Sequence, residues 1–305
     1  MSKAAPARGK FGRRLVLALP YAWLVLFFLA PFALVLKVSL SQSALGQPPY
    51  EPVFDSLDPA DIWAKLSALS LSAYAGLIDD SLYLQSYLDS LAIAAAATFL
   101  TLLIAYPLAL AIARSPARWR PLLLMAAIAP FWTSSLIRVY AWIMILKDEG
   151  LINHALIALG LIKEPLHIFA TNWAVLIGIV YSYLPFMMLP LYAAIENQDK
   201  ALIEAAADLG ASASGVFWRI TFPLSLPGVI AGALMVFIPA VGEFVIPDLL
   251  GGSDTLMIGT TLWNDFFANR DWPAAAAAAV ALLALLVGPL VFYERLQMRA
   301  GGDRP

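Results

Sequence analysis

Two charged residues sit deep in apolar sequence. Arg138 lies in Leu136-Ile137-Arg138-Val139-Tyr140-Ala141-Trp142, and Glu243 in Pro239-Ala240-Val241-Gly242-Glu243-Phe244-Val245-Ile246-Pro247. An ionisable side chain inside a membrane costs several kcal/mol unless it is paired or hydrated. One reading pairs Arg138 with Glu243, or each with a partner subunit, so that they hold helices together. The other places Glu243 on a water-filled path where its carboxylate meets a cation; the two are compatible if the pairing alternates. Residue type excludes much other chemistry. With no cysteine there is no disulfide, thiolate metal site or cysteine nucleophile. His154 and His167 share one polar connection, read as surface, and are too few to hold a metal without carboxylate help. No Gly-x4-Gly-Lys-Ser/Thr loop occurs, so the chain is not expected to bind ATP, and Gly251-Gly252 reads as a turn. Histidines, carboxylates or a nucleophile do not cluster within the apolar runs, which argues against a membrane-embedded enzyme.

The elements that must position these residues are membrane spans. Hydrophobic residues make up 61% of the 305 and charged residues 13%, where a soluble domain carries about 25% charge. Mean hydropathy is +0.79. A helical span needs about 20 apolar residues, and Leu15–Leu40, Tyr87–Ala113, Pro121–Leu146, Trp173–Ile195, Leu224–Leu250 and Ala274–Tyr293 qualify. The first follows Arg8, Lys10, Arg13 and Arg14 but is too long, and lacks a small-x-small site, for a cleaved signal; it reads as an anchor. Pro107, Pro130, Pro185 and Pro239 suggest bent helices around a cavity. The expected organisation is a tail over 1–14, a transmembrane domain over 15–293 and a second tail over 294–305.

Lysine and arginine favour the cytoplasmic side. They collect in the amino terminus, at Arg114, Arg118 and Arg120, at Lys200 and Arg219, and at Arg295, Arg299 and Arg304. The alternate connections are acidic: Glu51, Asp55, Asp58, Asp61, Asp79 and Asp80 in one, Asp148, Glu149 and Glu164 in the next, and Asp254, Asp265 and Asp271 in the last. Both termini are therefore expected inside. The long outer connection 41–86 carries aromatic and leucine clusters suited to helices lying on the membrane.

The inner connection 196–222 is the most informative stretch. Ala201 to Asp208 is a strong helix former with Glu204 and Asp208 on one face. Gly210 permits a sharp turn, and a short amphipathic stretch with Val216, Phe217 and Ile220 leads to Pro223 at the start of the fifth span. The expectation is a rigid helix–turn–helix knob outside the membrane. Glu204-Ala205-Ala206, Gly210, Ile220 and Pro223 stand at the spacing of the EAA loop, so the chain resembles the permeases of binding-protein-dependent ABC importers; Phe222 replaces the usual leucine. Leu136 to Trp142, Pro239 to Pro247 and Asn269-Arg270-Asp271-Trp272-Pro273 resemble the polyamine class, and within it the putrescine permeases over nearly the whole length.

That resemblance implies an all-α integral membrane protein of the type I importer permease fold, with about six transmembrane helices and a cytoplasmic coupling helix. It implies a bacterial cytoplasmic membrane, a second homologous permease, two copies of an ABC ATPase that bind ATP and Mg, and a periplasmic polyamine-binding protein; lipid is the other partner, and nucleic acid is not one. Glu204, Ala205, Ala206, Asp208 and Gly210 would couple to the ATPase. A diamine carries two ammonium groups on an apolar chain, and aromatic faces attract each by roughly 0.5–2 kcal/mol. Candidates for its path are Glu243, Trp132, Tyr140, Trp142, Tyr181 and Tyr183, with Asp248 and Asp265 near the outer mouth. The alternative is a self-sufficient secondary transporter or channel for small cations, against which stand the lack of a clear repeat and the presence of only two deep charges.

Overall fold

The computed structural model describes residues 10–55 and 58–301. Arg8 and Arg304 lie outside them, as do the side chains of Lys10, Arg13, Arg14, Arg295 and Arg299. The chain forms two compact units, Met1–Ser81 with Leu262–Pro305, and Leu82–Thr261.

In the first unit, helix α1 runs through Lys10–Leu24, a π turn Val25–Leu29 and Ala30–Ser39. Its side chains from Leu19 to Leu29 are exposed on every side of the helix, which only lipid can solvate. A small hairpin, β1 Gln42–Ser43 and β2 Tyr50–Glu51, follows, then α2 Pro59–Ser67 and α3 Ser72–Asp79. Asp58 caps α2 by accepting from the Ala60 amide. Lys65 bridges Asp55 and Asp61, and the ammonium of Lys65 holds the Asp55 carboxyl below its ordinary value. The last helix of the chain spans Trp272–Gly301. It packs on α1 and α3, and it buries Ala275, Ala277 and Ala278, small residues of the kind that allow close helix approach. Asp271 accepts from the Ala274 amide at its start and takes the Ser43 hydroxyl at 2.5 Å, tying the hairpin down.

The second unit begins with α4, Ser81–Arg114, then α5 Arg120–Trp132, α6 Ser135–Leu146, α7 Leu151–Ala158 and α8 Asn172–Glu196. The knob helix α9 is Lys200–Asp208, α10 is Ala213–Val241, α11 is Val245–Leu250 and α12 is Ile258–Trp263; the Trp272–Gly301 helix is α13. The core sits where α8 and α10 pack, around Met187, Met188, Leu191 and Val236, and is completed by Ala105, Tyr106, Ala109 and Ile112 of α4. Glycine makes the α8–α10 seam tight: a Cβ on Gly228 would lie 2.7 Å from the Pro190 carbonyl oxygen and 2.5 Å from the Ala194 Cβ. Tyr106 and Ser225 share a buried hydrogen bond of 2.9 Å across α4 and α10.

Among the described residues, four helices are long and apolar enough to cross a membrane: Ala18–Ser39, Ser81–Arg114, Asn172–Glu196 and Ala213–Val241. The backbone of α13 runs to Gly301, and its sequence is apolar from Trp272 through Tyr293. The expected span Pro121–Leu146, where Pro130 suggested a bend, is broken into two, with α5 and the α6–α7 pair bent by 85°. Pro130 lies in the tighter last turn of α5, Ala129–Trp132, and the Thr133 hydroxyl donates to the Pro130 carbonyl at 2.8 Å, restoring a bond that the break would leave unmade. The expected span Leu224–Leu250 is also corrected. Its helix starts at Ala213, passes through a π turn at Phe217–Thr221 just before Pro223, and stops at Val241. Pro185, Pro190, Pro227 and Pro239 all lie inside continuous helices.

Replacing Gly228 with leucine should destabilise the chain by about 1–3 kcal/mol, because a main-chain carbonyl cannot give way. The Gly76→Ala change inside α3, where a Cβ meets nothing within 4 Å, should be neutral or stabilise by up to about 1 kcal/mol. Thermal unfolding in detergent compares the two.

Candidate functional site

Glu243 stands at the break after α10. Gly242 caps that helix, and a Cβ on Gly259 of α12 would lie 2.6 Å from the Gly242 carbonyl oxygen and 2.4 Å from that of Glu243. The glycine thus lets α12 seat directly on this backbone, and the Ser90 hydroxyl of α4 receives the Ile258 amide at 2.8 Å alongside. On the other side, Gly178 of α8 leaves room for Ile246 and Leu250 of α11, whose side chains a Cβ there would meet at 2.8 and 2.7 Å. The half-buried carboxylate is used on both oxygens. Oε1 accepts from the amides of Val245 at 3.1 Å and Ile246 at 3.4 Å, capping α11. Oε2 accepts from the Tyr183 hydroxyl of α8 at 2.7 Å.

The expected Arg138–Glu243 pair does not form. Arg138 of α6 places its guanidinium 4.8 Å from the centroid of Phe131, while its Nε and Nη1 are buried without a hydrogen-bond partner. Phe131 stacks on Tyr181 at 5.5 Å, and Tyr181 meets Trp142 edge-on at 5.3 Å. The aromatic candidates therefore divide. Tyr181 and Trp142 belong to a cluster whose cation is the protein's own, whereas Tyr183 serves the carboxylate. Trp132 and Tyr140 are exposed and join neither group. Asp248 is exposed on α11. Asp265 belongs to the first unit, where it is buried and accepts from Asn269 at 3.0 Å.

The knob is built from local rules. Asp199 caps α9 by accepting from the Ala201 amide at 2.9 Å. At the far end Gly210 adopts φ +80°, and the amides of Gly210 and Ala211 return to the carbonyls of Ala207 and Ala206 at 2.9 and 3.0 Å. That is the glycine-closed C-terminal motif in which a left-handed residue satisfies the last carbonyls. Ser212 then caps α10 by accepting from the Gly215 amide at 3.2 Å. Glu204, Ala205, Asp208 and Gly210 are exposed and Ala206 is half-buried; Leu209 at the tip is 89% exposed. A cavity of about 290 Å³ lies under the knob, lined by Arg114, Arg120, Glu196, Lys200, Glu204 and Thr221 among others. Arg120 spans it, donating to Glu196 at 3.0 Å.

Sequence reasoning singled out Tyr183 for its ring, but the structure uses its hydroxyl. It missed Gly178 and Gly259 altogether, and their only signal was glycine within apolar sequence, which says nothing about what approaches.

Residues 13–300 match the family described as binding-protein-dependent transport system inner membrane component. The spermidine/putrescine transport system permease protein PotB of Haemophilus influenzae is 38% identical over 283 residues, covering 93% of each chain. Its Escherichia coli K12 namesake is 42% identical over 273 residues, covering 90% of this chain and 93% of that one. In fold, the chain is similar to one in the crystal structure of a bacterial alginate ABC transporter in complex with alginate pentasaccharide-bound periplasmic protein. The TM-score there is 0.71 at 15% identity, with 95% of both chains covered. An all-α membrane fold shared with an ABC transporter chain, and a family match over nearly the whole length, agree: the chain belongs to the family of binding-protein-dependent transport system inner membrane components and is a transport subunit rather than an enzyme.

Proposed function

We propose that this chain is one permease subunit of an ATP-driven polyamine importer in the bacterial cytoplasmic membrane, with putrescine as its substrate. It forms half of the translocation path beside a second homologous permease. A periplasmic binding protein delivers the polyamine, and two copies of an ATPase hold the ATP and Mg. Both termini face the cytoplasm, in keeping with Arg114, Arg118 and Arg120 between α4 and α5, and Lys200 on the knob. The polyamine class rests on the two relatives named for spermidine and putrescine; the choice of putrescine rests on the sequence resemblance.

One observation carries the coupling: a capped and glycine-closed knob holds Leu202, Ala205 and Leu209 exposed. Exposed leucine at the end of a rigid element outside the spans suits an apolar socket on a soluble partner. Through Arg120 and Glu196, beneath it, a push on the knob reaches the ends of α5 and α8. Glu243 supplies the cation site on the path.

Three outcomes follow. The transporter co-purified with its ATPase and binding protein should hydrolyse ATP faster with putrescine than with spermidine, and equal stimulation removes the putrescine assignment. Exchanging Gly210 for leucine forces a side chain into a left-handed backbone at about 1–2 kcal/mol; with Glu204→Lys it should weaken ATPase retention on the purified permease. Transport and hydrolysis that survive both changes would show the knob is not the coupling element. For Arg138, two buried nitrogens without acceptors, Nε and Nη1, cost about 1–3 kcal/mol each. Arg138→Met should therefore leave the thermal stability of the isolated chain unchanged or raise it.

A further inference from the structure

We infer that the Tyr183 hydroxyl occupies, on Glu243 Oε2, the position that an N–H of the substrate's ammonium takes, so that Tyr183 positions Glu243 and selects cations able to donate a hydrogen bond. This rests on the reading that Glu243 lies on the translocation path.

The partners of the carboxylate differ in their freedom to leave. Oε1 is held by the amides of Val245 and Ile246, which are main chain. The backbone behind it has no room to retreat, because Gly259 of α12 already touches the carbonyls of Gly242 and Glu243. Ile246 and Leu250 are seated against Gly178 of α8. Oε2 is different: its donor is a single neutral side chain, the phenol of Tyr183 at 2.7 Å. The Tyr183 ring is half-buried, packed against the core and 5.9 Å from the exposed ring of Phe186, so it is the phenol hydroxyl, free to turn about its C–O bond, that can give up Oε2.

A primary ammonium brings three N–H donors and a full charge, and charge-assisted hydrogen bonds are roughly twice as strong as neutral ones. Exchange of phenol for ammonium at Oε2 is therefore favourable, and it leaves the Oε1 cap and α11 in place. The freed phenol ring and Phe186 then offer aromatic faces to the adjacent methylenes and charge. A quaternary ammonium of equal charge cannot make the exchange. It has no N–H, so displacing the phenol would leave Oε2 without a donor. The site thus distinguishes primary ammonium from its methylated form by hydrogen-bond replacement rather than by charge.

The test uses the assembled transporter in lipid nanodiscs without its binding protein, titrated calorimetrically with putrescine and with its bis-trimethylammonium analogue. The wild type should bind putrescine at least a hundredfold more tightly than the analogue. Tyr183→Phe removes the competing donor, so putrescine should bind roughly tenfold more tightly, while the analogue, which makes no hydrogen bond to Oε2, should gain no more than that, so that the preference is kept or grows. Unchanged or weaker putrescine binding in Tyr183→Phe, or a preference that collapses, would overturn the inference. Glu243→Gln separates the two readings. It keeps an oxygen to cap α11 but lacks the charge, and putrescine binding that persists in it sinks the path assignment itself. Should Tyr183→Phe fail to assemble, 3-fluorotyrosine at position 183 of the otherwise native protein reports directly. Its fluorine resonance should move on saturation with putrescine and stay fixed with the analogue; a resonance that putrescine does not move also overturns the proposal.

Discussion

Where a helix stops within an apolar span, the first amides of whatever follows have no water to bond and must find an acceptor in the protein. At the break between α10 and α11 that acceptor is Glu243, which turns a carboxylate into a structural part of the backbone. The rest of the site follows from this demand. A carboxylate fixed on one oxygen presents the other in a set direction, and that direction holds Tyr183. The same logic governs the break at Pro130, where the Thr133 hydroxyl takes the loose carbonyl.

The helices around this break are brought close by small residues rather than by a collapsing apolar core. In lipid, leucine gains little by leaving one hydrocarbon environment for another, so close backbone packing and hydrogen bonds do more of the holding. Gly228 and Gly232 on α10, Gly178 on α8 and Gly259 on α12 each stand where a Cβ would meet a neighbour below 3 Å. Buried Tyr106 and Ser225 add a polar link between α4 and α10. The outcome is a second unit whose interior is tight at the α8–α10 seam while α1, in the first unit, has only lipid-facing apolar surface from Leu19 to Leu29.

Arg138 shows why charge alone does not define a pairing. Both it and Glu243 are deep in apolar sequence, yet Glu243 is satisfied by a cap and a phenol, and Arg138 lies over Phe131 with two nitrogens unmatched. An amide cap lies two and three residues away along the same chain and needs no neighbouring helix to form. A cross-helix ion pair needs two side chains to converge in register.

The sequence by itself determined the features that depend on neighbours along the chain. Long apolar runs require lipid wherever they end up. The knob is set by an Asp199 cap, an alanine-rich turn and Gly210, the residue able to take φ +80° without strain. Only the tertiary structure decided the rest. The bend after Pro130 was not separable from Pro185 or Pro190, which helices α8 absorbs without breaking, since a proline's effect depends on whether a neighbour can take the freed carbonyl. The two-residue strands of the hairpin are too short for any alternation to reveal. Tyr183 lies 60 residues from Glu243 in the chain. Their meeting is decided by how α8 packs against the break, which no local spacing encodes.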